Sequence, residues 1–438
     1  MCADISEDLI HYDVSLFDKY GFLLSKSNAN GTPFTSEDMK LIRRRECKWN
    51  KMLMNWKSAN KRMRKIIIRC RKGIPQTLRG KAWLYLSCAN VTLENNPGRY
   101  SELVSQPGDR RWLDLIEKDV SRSFPTHELF CSDRYNGRKM LFNVLKAYSI
   151  YNPTIGYCQS LAPITSVLLM HMTEEMGFWV LVKICERHMP FYHCDDMVGL
   201  HKDFIILEEL IKSNLPKYYR ILAVNNVDPA FYCTEWFMCV FSRSLPWEIV
   251  LRIWDMFMIE GRRVLFRVAL VLIRSCLSAV DLSDADPSTV MMSLKTLPDF
   301  VLEGDYIIRD SLNYKIGYLQ LRTLNQRADR IHRRKVELKQ TILDVNRKKR
   351  ETMIECESSS TYSGNQNNHR NSVLTQSLLN MDDLVDIDAD SISSMDESSS
   401  FCDCTLSHHD YPSIPRKSGT LEITSATTGT RRLVAVAD

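Results

Sequence analysis

From Leu78 to Ile308 the apolar residues of this chain recur three and four positions apart. No stretch sustains the alternation of a half-buried strand, and no strand–helix alternation of a parallel sheet is visible. This spacing predicts an all-α fold. Leu78, Ala82, Leu86 and Ala89 form one stripe; Met140, Val144, Leu145 and Tyr148 form another; Phe178, Val182 and Cys185 a third. Gly73-Ile74-Pro75, Asn95-Asn96-Pro97-Gly98, Pro125, and Pro153 with Gly156 punctuate the helices. Thr234 is the expected cap for a helix over Glu235–Phe241. Pro246-Trp247-Glu248 starts a further helix that Gly261 ends. The segment from Asp305 to Arg350 reads as one or two final helices, increasingly basic.

The flanks differ from this middle. Ser36, followed by Glu37 and Asp38, opens a helix expected to run through Trp49 to Ile66-Ile67-Ile68. Its run Lys61–Lys72 is the densest positive block before the domain, either a solvated face or a surface for an acidic protein or membrane. After Glu351 the text turns to Ser, Asn and Asp, a composition expected to be disordered. The expected organisation is an N-terminal extension with a basic helix (1–72), a helical domain (73–350) and a Ser/Asp-rich tail (351–438). Within the tail, Asp382–Asp388 and Tyr411–Lys417 have the look of short linear motifs.

Composition excludes several functions. The 44% apolar fraction and eight Trp suffice for a core, and the net charge of +5 over 438 residues does not call for nucleic acid. The positive stretches also lack the aromatic interleaving that base stacking needs. Fourteen Cys lie outside CxxC pairs, and the ten His are not at zinc-finger spacing, so reduced thiols in a reducing compartment are expected. The acidic start Met1–Asp8 has no signal core. The longest apolar run, Val264–Val280, is interrupted by Arg267 and Arg274, which favours a buried helix over a membrane span. The expectation is a cytoplasmic protein. The basic stretches leave open a peripheral visit to a plasma or endosomal membrane.

No P-loop, dinucleotide turn or HExxH is present, and Gly is scarce at 16 residues. A chain of this kind does not cradle a nucleotide with its own backbone. Any chemistry it does must come from side chains lent to another protein's site. Two are candidates. Ile116, Asp119 and Arg122 share a helix face, with Ile116 inward and Asp119 within reach of an Arg at the helix end. A guanidinium is a permanent charge with several donors, suited to developing negative charge on phosphate oxygens. Gln159 follows Gly156-Tyr157-Cys158; a carboxamide accepts from a water while donating elsewhere. Tyr157 either buttresses it or belongs to the core. Taken singly, Arg122 also fits an ordinary surface ion pair and Gln159 a solvated or capping residue.

In order, the chain shows Gly-Ile-Pro-x-x-Leu-Arg-x-x-x-Trp (Gly73–Trp83), Ile-x-x-Asp-x-x-Arg (Ile116–Arg122) and Tyr-x-Gln (Tyr157–Gln159). These resemble the three signature motifs of the TBC domain, the catalytic domain of GTPase-activating proteins for Rab-type GTPases, over roughly Arg69 to Gln340. Arg122-Ser123-Phe124-Pro125, Leu145-Lys146-Ala147-Tyr148, Ala162-Pro163-Ile164, Thr234–Cys239, Arg252–Phe257 and the early Asp18-Lys19-Tyr20-Gly21-Phe22 are similar to the carabin-like subfamily.

The resemblance implies a two-lobed, multi-helix domain that grips a GTP-bound Rab-family GTPase and acts in membrane trafficking. It implies an arginine finger at Arg122, oriented by Asp119, and a glutamine finger at Gln159. Arg79 and Trp83 would be structural, tying the first helix to the finger helix. The chain would not be a hydrolase by itself and would carry no cofactor, because GTP and Mg²⁺ arrive with the partner. A non-catalytic Rab-binding adaptor and an activator of a Ras-type GTPase are the alternatives. Two positions depart from the pattern: Ser160 stands where Gly or Ala is more usual, and Asp438 makes a C-terminal PDZ ligand unlikely.

Overall fold

A computed structural model describes residues 16–24, 36–59, 62–278 and 286–360. The start Met1–Asp8 and the tail beyond 360, with its segments 382–388 and 411–417 and Asp438, lie outside the described residues; residues 351–360, expected to be disordered, continue the last helix instead. Among the described residues the fold is all-α, with only two isolated bridges, Phe17 to Leu23 and Phe22 to His127.

The basic N-terminal helix is broken, contrary to expectation. It becomes α1 (Ser36–Met54), α2 (Trp56–Ala59) and α3 (Met63–Arg71). Asn55 turns its amide back onto the Lys51 carbonyl at 3.2 Å, a local bond that competes with the helix. The break lets α3 lie beside α1, where Arg69 donates to the Lys48 carbonyl at 3.0 Å. Trp49, Met52 and Leu53 of α1 and Ile66 and Cys70 of α3 all become buried.

Two helical groups follow. The first comprises α4 (Arg79–Leu86), α5 (Ala89–Asn95), α6 (Arg99–Ser105), α7 (Arg110–Ser121), α8 (Glu128–Cys131), α9 (Gly137–Tyr151), α10 (Leu161–Leu169) and α11 (Glu174–Lys183). In it α9 packs against α6, α7, α10 and α11. The second comprises α12 (Val198–Asn214), α13 (Pro216–Val224), α14 (Ala230–Met238), α15 (Trp247–Glu260), α16 (Arg263–Ser278), α17 (Pro287–Lys295), α18 (Asp299–Leu302) and α19 (Tyr306–Ser311), gathered on α16. The last helix, α20, runs Tyr318–Ser360. Helix α15 joins the groups, packing on α3, α4 and α16.

Helix α16 is buried along almost its whole length, as its apolar run predicts. Its interrupting arginines are paired: Arg267 with Glu260 at 2.7 Å and Arg274 with Asp310 at 2.6 Å. Burial pushes the Glu260 carboxyl up, but Arg71 and Arg267 outweigh it and hold the group below its ordinary value. Among the described residues no helix is long and apolar enough to cross a membrane.

Thr234 is not a cap. Helix α14 starts at Ala230, whose amide is held by Asp228 at 2.7 Å, and Thr234 sits mid-helix donating to the Ala230 carbonyl at 2.6 Å. A Thr hydroxyl inside a helix has that carbonyl within reach, so residue type alone does not place the boundary.

Candidate functional site

Helix α7 is capped at its start by Asp109, which accepts from the Arg111 amide at 2.9 Å. Ile116, Asp119 and Val120 are its buried residues. Arg122 is the C-cap, and the chain turns there because the Ser123 hydroxyl donates to the Asp119 carbonyl at 2.6 Å. Asp119 is only 7% exposed, whereas the Arg122 side chain is 54% exposed. The carboxylate is thus a fixed acceptor and the guanidinium is anchored at one edge: Arg122 Nε donates to Asp119 Oδ1 at 2.7 Å.

The loop between α9 and α10 supplies the other half. Gly156 has φ +60° and lies on the indole of Trp112; a Cβ there would fall 2.3 Å from the ring. Only glycine permits both the left-handed turn and this approach. The turn buries Tyr157, whose hydroxyl donates to Asp119 Oδ2 at 2.6 Å. Burial and the neighbouring carboxylate push the phenol far up, so it remains a donor at neutral pH. Gln159 is exposed, and its carboxamide has no hydrogen-bond partner among the described residues. Ser160 is buried and bonded to Nδ1 of buried His193 at 3.0 Å, an anchor that the usual small Gly or Ala would not provide.

Arg122 and Gln159 open into one groove of about 300 Å³. Asp119 and Ser123 line it from α7 and its exit, Ala162 and Pro163 from α10, and Thr234, Glu235 and Met238 from α14. The groove therefore draws on both helical groups. Sequence reasoning did not single out Glu235 and Arg243 as site residues; they form an ion pair at 3.3 Å on its wall. Nor did it find Trp112 or His193. Helical periodicity marks Trp112 only as apolar, and nothing in the sequence pairs it with Gly156.

Arg79 and Trp83 lie elsewhere. Arg79 Nε and Trp83 Nε1 both donate to Asp255 Oδ1, at 3.1 and 2.9 Å, and the Ile74 amide donates to Oδ2 at 2.8 Å. Their polar tie runs to α15, not to α7 as the resemblance implied. The buried carboxylate of Asp255 gathers donors that the sequence spreads over Ile74 to Trp83. A larger groove, about 720 Å³ between α12 and α20, carries none of the candidate residues.

A family model described as the Rab-GTPase-TBC domain matches residues 76–279. The chain is 44% identical over 302 residues to TBC1 domain family member 10B of Homo sapiens, covering 68% of this chain and 37% of that protein. It is 42% identical to Carabin of Mus musculus, covering 66% of this chain and 65% of that one. It is also 42% identical to TBC1 domain family member whacked of Drosophila melanogaster, covering 65% of this chain and 80% of that one. The chain thus spans less than two thirds of the length of the first two. Among solved structures, the Chlamydomonas flagellar RabGAP TBC domain aligns with a TM-score of 0.52 at 26% identity, over 68% of this chain and all of that one.

Proposed function

The chain belongs to the Rab-GTPase-TBC domain family, and on that premise we propose that it accelerates GTP hydrolysis by a Rab-family GTPase through Arg122 and Gln159. The observation that carries the reading is the shared groove. An anchored guanidinium and an uncommitted carboxamide open into it, and one carboxylate links the two segments that bear them.

The roles follow from the side chains. Arg122 keeps most of its donors free and stabilises charge developing on transferring phosphate oxygens. Gln159 orients the attacking water. Asp119 sets the direction of Arg122, and Tyr157 fixes Asp119 from the other side. Glu235 and Arg243 contact the partner at the wall. GTP and its Mg²⁺ belong to the partner, and regulated membrane traffic is the setting. We take the domain to run from 73 to 350, beyond the matched region, because α19 packs on α16 and the early α20 residues Leu321 and Ala328 are buried.

Single-turnover hydrolysis across a panel of GTP-loaded Rab and Ras proteins tests this. Acceleration of at least one Rab is expected. Binding without acceleration would favour an adaptor, and acceleration confined to Ras would favour the other class of GTPase.

A peripheral membrane visit has its own support. Lys48, Lys51, Arg62, Lys65 and Arg69 line a cleft of about 230 Å³ between α1 and α3, with no carboxylate among its lining residues. Residues 36–72 hold fourteen Lys and Arg against three Asp and Glu, a surplus of eleven in a chain whose total is +5. Met54, Met63 and Ile68 are exposed on the same helices. Such a surface suits anionic headgroups.

A further inference from the structure

The chain leaving Arg122 is held from outside. Phe124, two residues on, has φ +45°, a costly conformation for a bulky side chain. What opposes its relaxation is the segment 16–24. Asp18 Oδ1 closes that segment into a turn by accepting from the Tyr20 and Phe22 amides at 2.8 and 2.9 Å. Its edge then pairs with the loop: Leu23 N donates to the Thr126 carbonyl at 2.9 Å and Glu128 N to the Gly21 carbonyl at 2.8 Å. His127 adds a third bond. Because the Leu129 amide donates to its Nδ1 at 3.1 Å, the ring proton sits on Nε2 and is given to the Tyr20 carbonyl at 3.0 Å. The Phe22 ring packs edge-on against Phe124, His127 and Trp247, with centroids 6.2, 4.9 and 5.0 Å away. Trp247 opens α15, so the clip ties the exit of α7 to the helix that joins the two groups.

We infer that residues 16–24 are a positioning element of the groove: by pairing with 126–128 and packing Phe22 on Phe124, they fix the backbone from which Arg122 projects. This element lies well before the matched family region, which begins at residue 76. The inference rests on the proposed role of Arg122. A displacement of about 1 Å at a catalytic group costs on the order of 10²-fold in rate, so a small relaxation of this loop is measurable.

The test uses the full chain as wild type, Phe22→Ala, Asp18→Ala and Phe22→Tyr, with a GTPase that the wild type accelerates. Two quantities are read: the single-turnover rate at saturating activator with its half-saturation, and amide exchange over 123–128. In Phe22→Ala and Asp18→Ala the saturating rate falls about tenfold. Half-saturation stays within about twofold, because the partner-binding walls are untouched. Amides 123–128 exchange faster, and Phe22→Tyr, which keeps the ring contacts, restores both readings. A saturating rate unchanged in Phe22→Ala, or exchange over 123–128 unchanged, overturns the inference while leaving the function standing. If the wild type accelerates no partner, the function itself has failed, and the positioning with it.

Discussion

Tyr157 donates its phenolic proton to Asp119 Oδ2 at 2.6 Å, while the other oxygen of that carboxylate accepts from Arg122 at 2.7 Å. The two partners belong to different segments, a loop after α9 and the end of α7. Removing the phenol leaves a buried carboxylate oxygen without its donor, at a cost of about 1.5–3 kcal/mol for a bond to a charged group. Tyr157→Phe is therefore expected to lower stability by about that amount in urea unfolding. It should also lower the saturating rate of partner hydrolysis, with little change in partner binding.

Asp255 is the corresponding hub of the motif around Arg79 and Trp83. It is fully buried and accepts from Arg79, Trp83 and the Ile74 amide. Asp255→Ala would strand a buried guanidinium and an indole N–H, a loss of about 3–5 kcal/mol. Denaturant unfolding should show that drop. Arg122→Ala, which takes one donor from Asp119 while Tyr157 still holds its other oxygen, should lose less than Asp255→Ala.

Three buried histidines give the chain a defined acid sensitivity. Burial lowers His127 and His193 to about 4 and His188 to about 3. Unfolded, each binds a proton near 6.5, so below that pH the unfolded state holds more protons than the native one. Stability is complete above about pH 6.5 and is lost as pH falls towards the folded values. The unfolding free energy from urea titration should drop between pH 7.5 and 5.5, by on the order of 1 kcal/mol for each histidine. A flat profile over that range would contradict the neutral, buried assignment.

The cationic cleft between α1 and α3 makes a separate prediction. The full chain should sediment with anionic vesicles and not with neutral ones, and rising salt should release it. Lys51→Glu combined with Lys65→Glu should abolish sedimentation while leaving acceleration of a soluble partner unchanged. Equal sedimentation of the double variant would remove the cleft from the account.

Much of this molecule is legible in the sequence because helical periodicity and local motifs are near-neighbour properties. Ile116, Asp119 and Arg122 are three apart, so their shared face follows from the helix repeat, and the pairing of Asp119 with Arg122 was expected. Pro246 and Gly261 bound α15 as their backbone preferences dictate. What the sequence hides is contact between distant segments. Asp255 collects donors more than 170 residues away, Trp112 dictates glycine at 156, and the segment 16–24 reaches the loop at 126–128. Each depends on tertiary packing, which no local pattern reports. The break at Asn55 was missed for a related reason: the surrounding residues are helix formers, and burial of both resulting faces decides the outcome.

The central claim is that Arg122 and Gln159 together complete a partner's active site. Its most direct test is single-turnover hydrolysis by a responsive Rab GTPase whose own water-positioning glutamine has been replaced. Wild type should still accelerate it, because Gln159 takes that role. Arg122→Ala should lose about 10³-fold or more of the acceleration, and Gln159→Ala should lose most of it, while both still bind the GTP-loaded partner. Full acceleration of this partner by Gln159→Ala would contradict the claim.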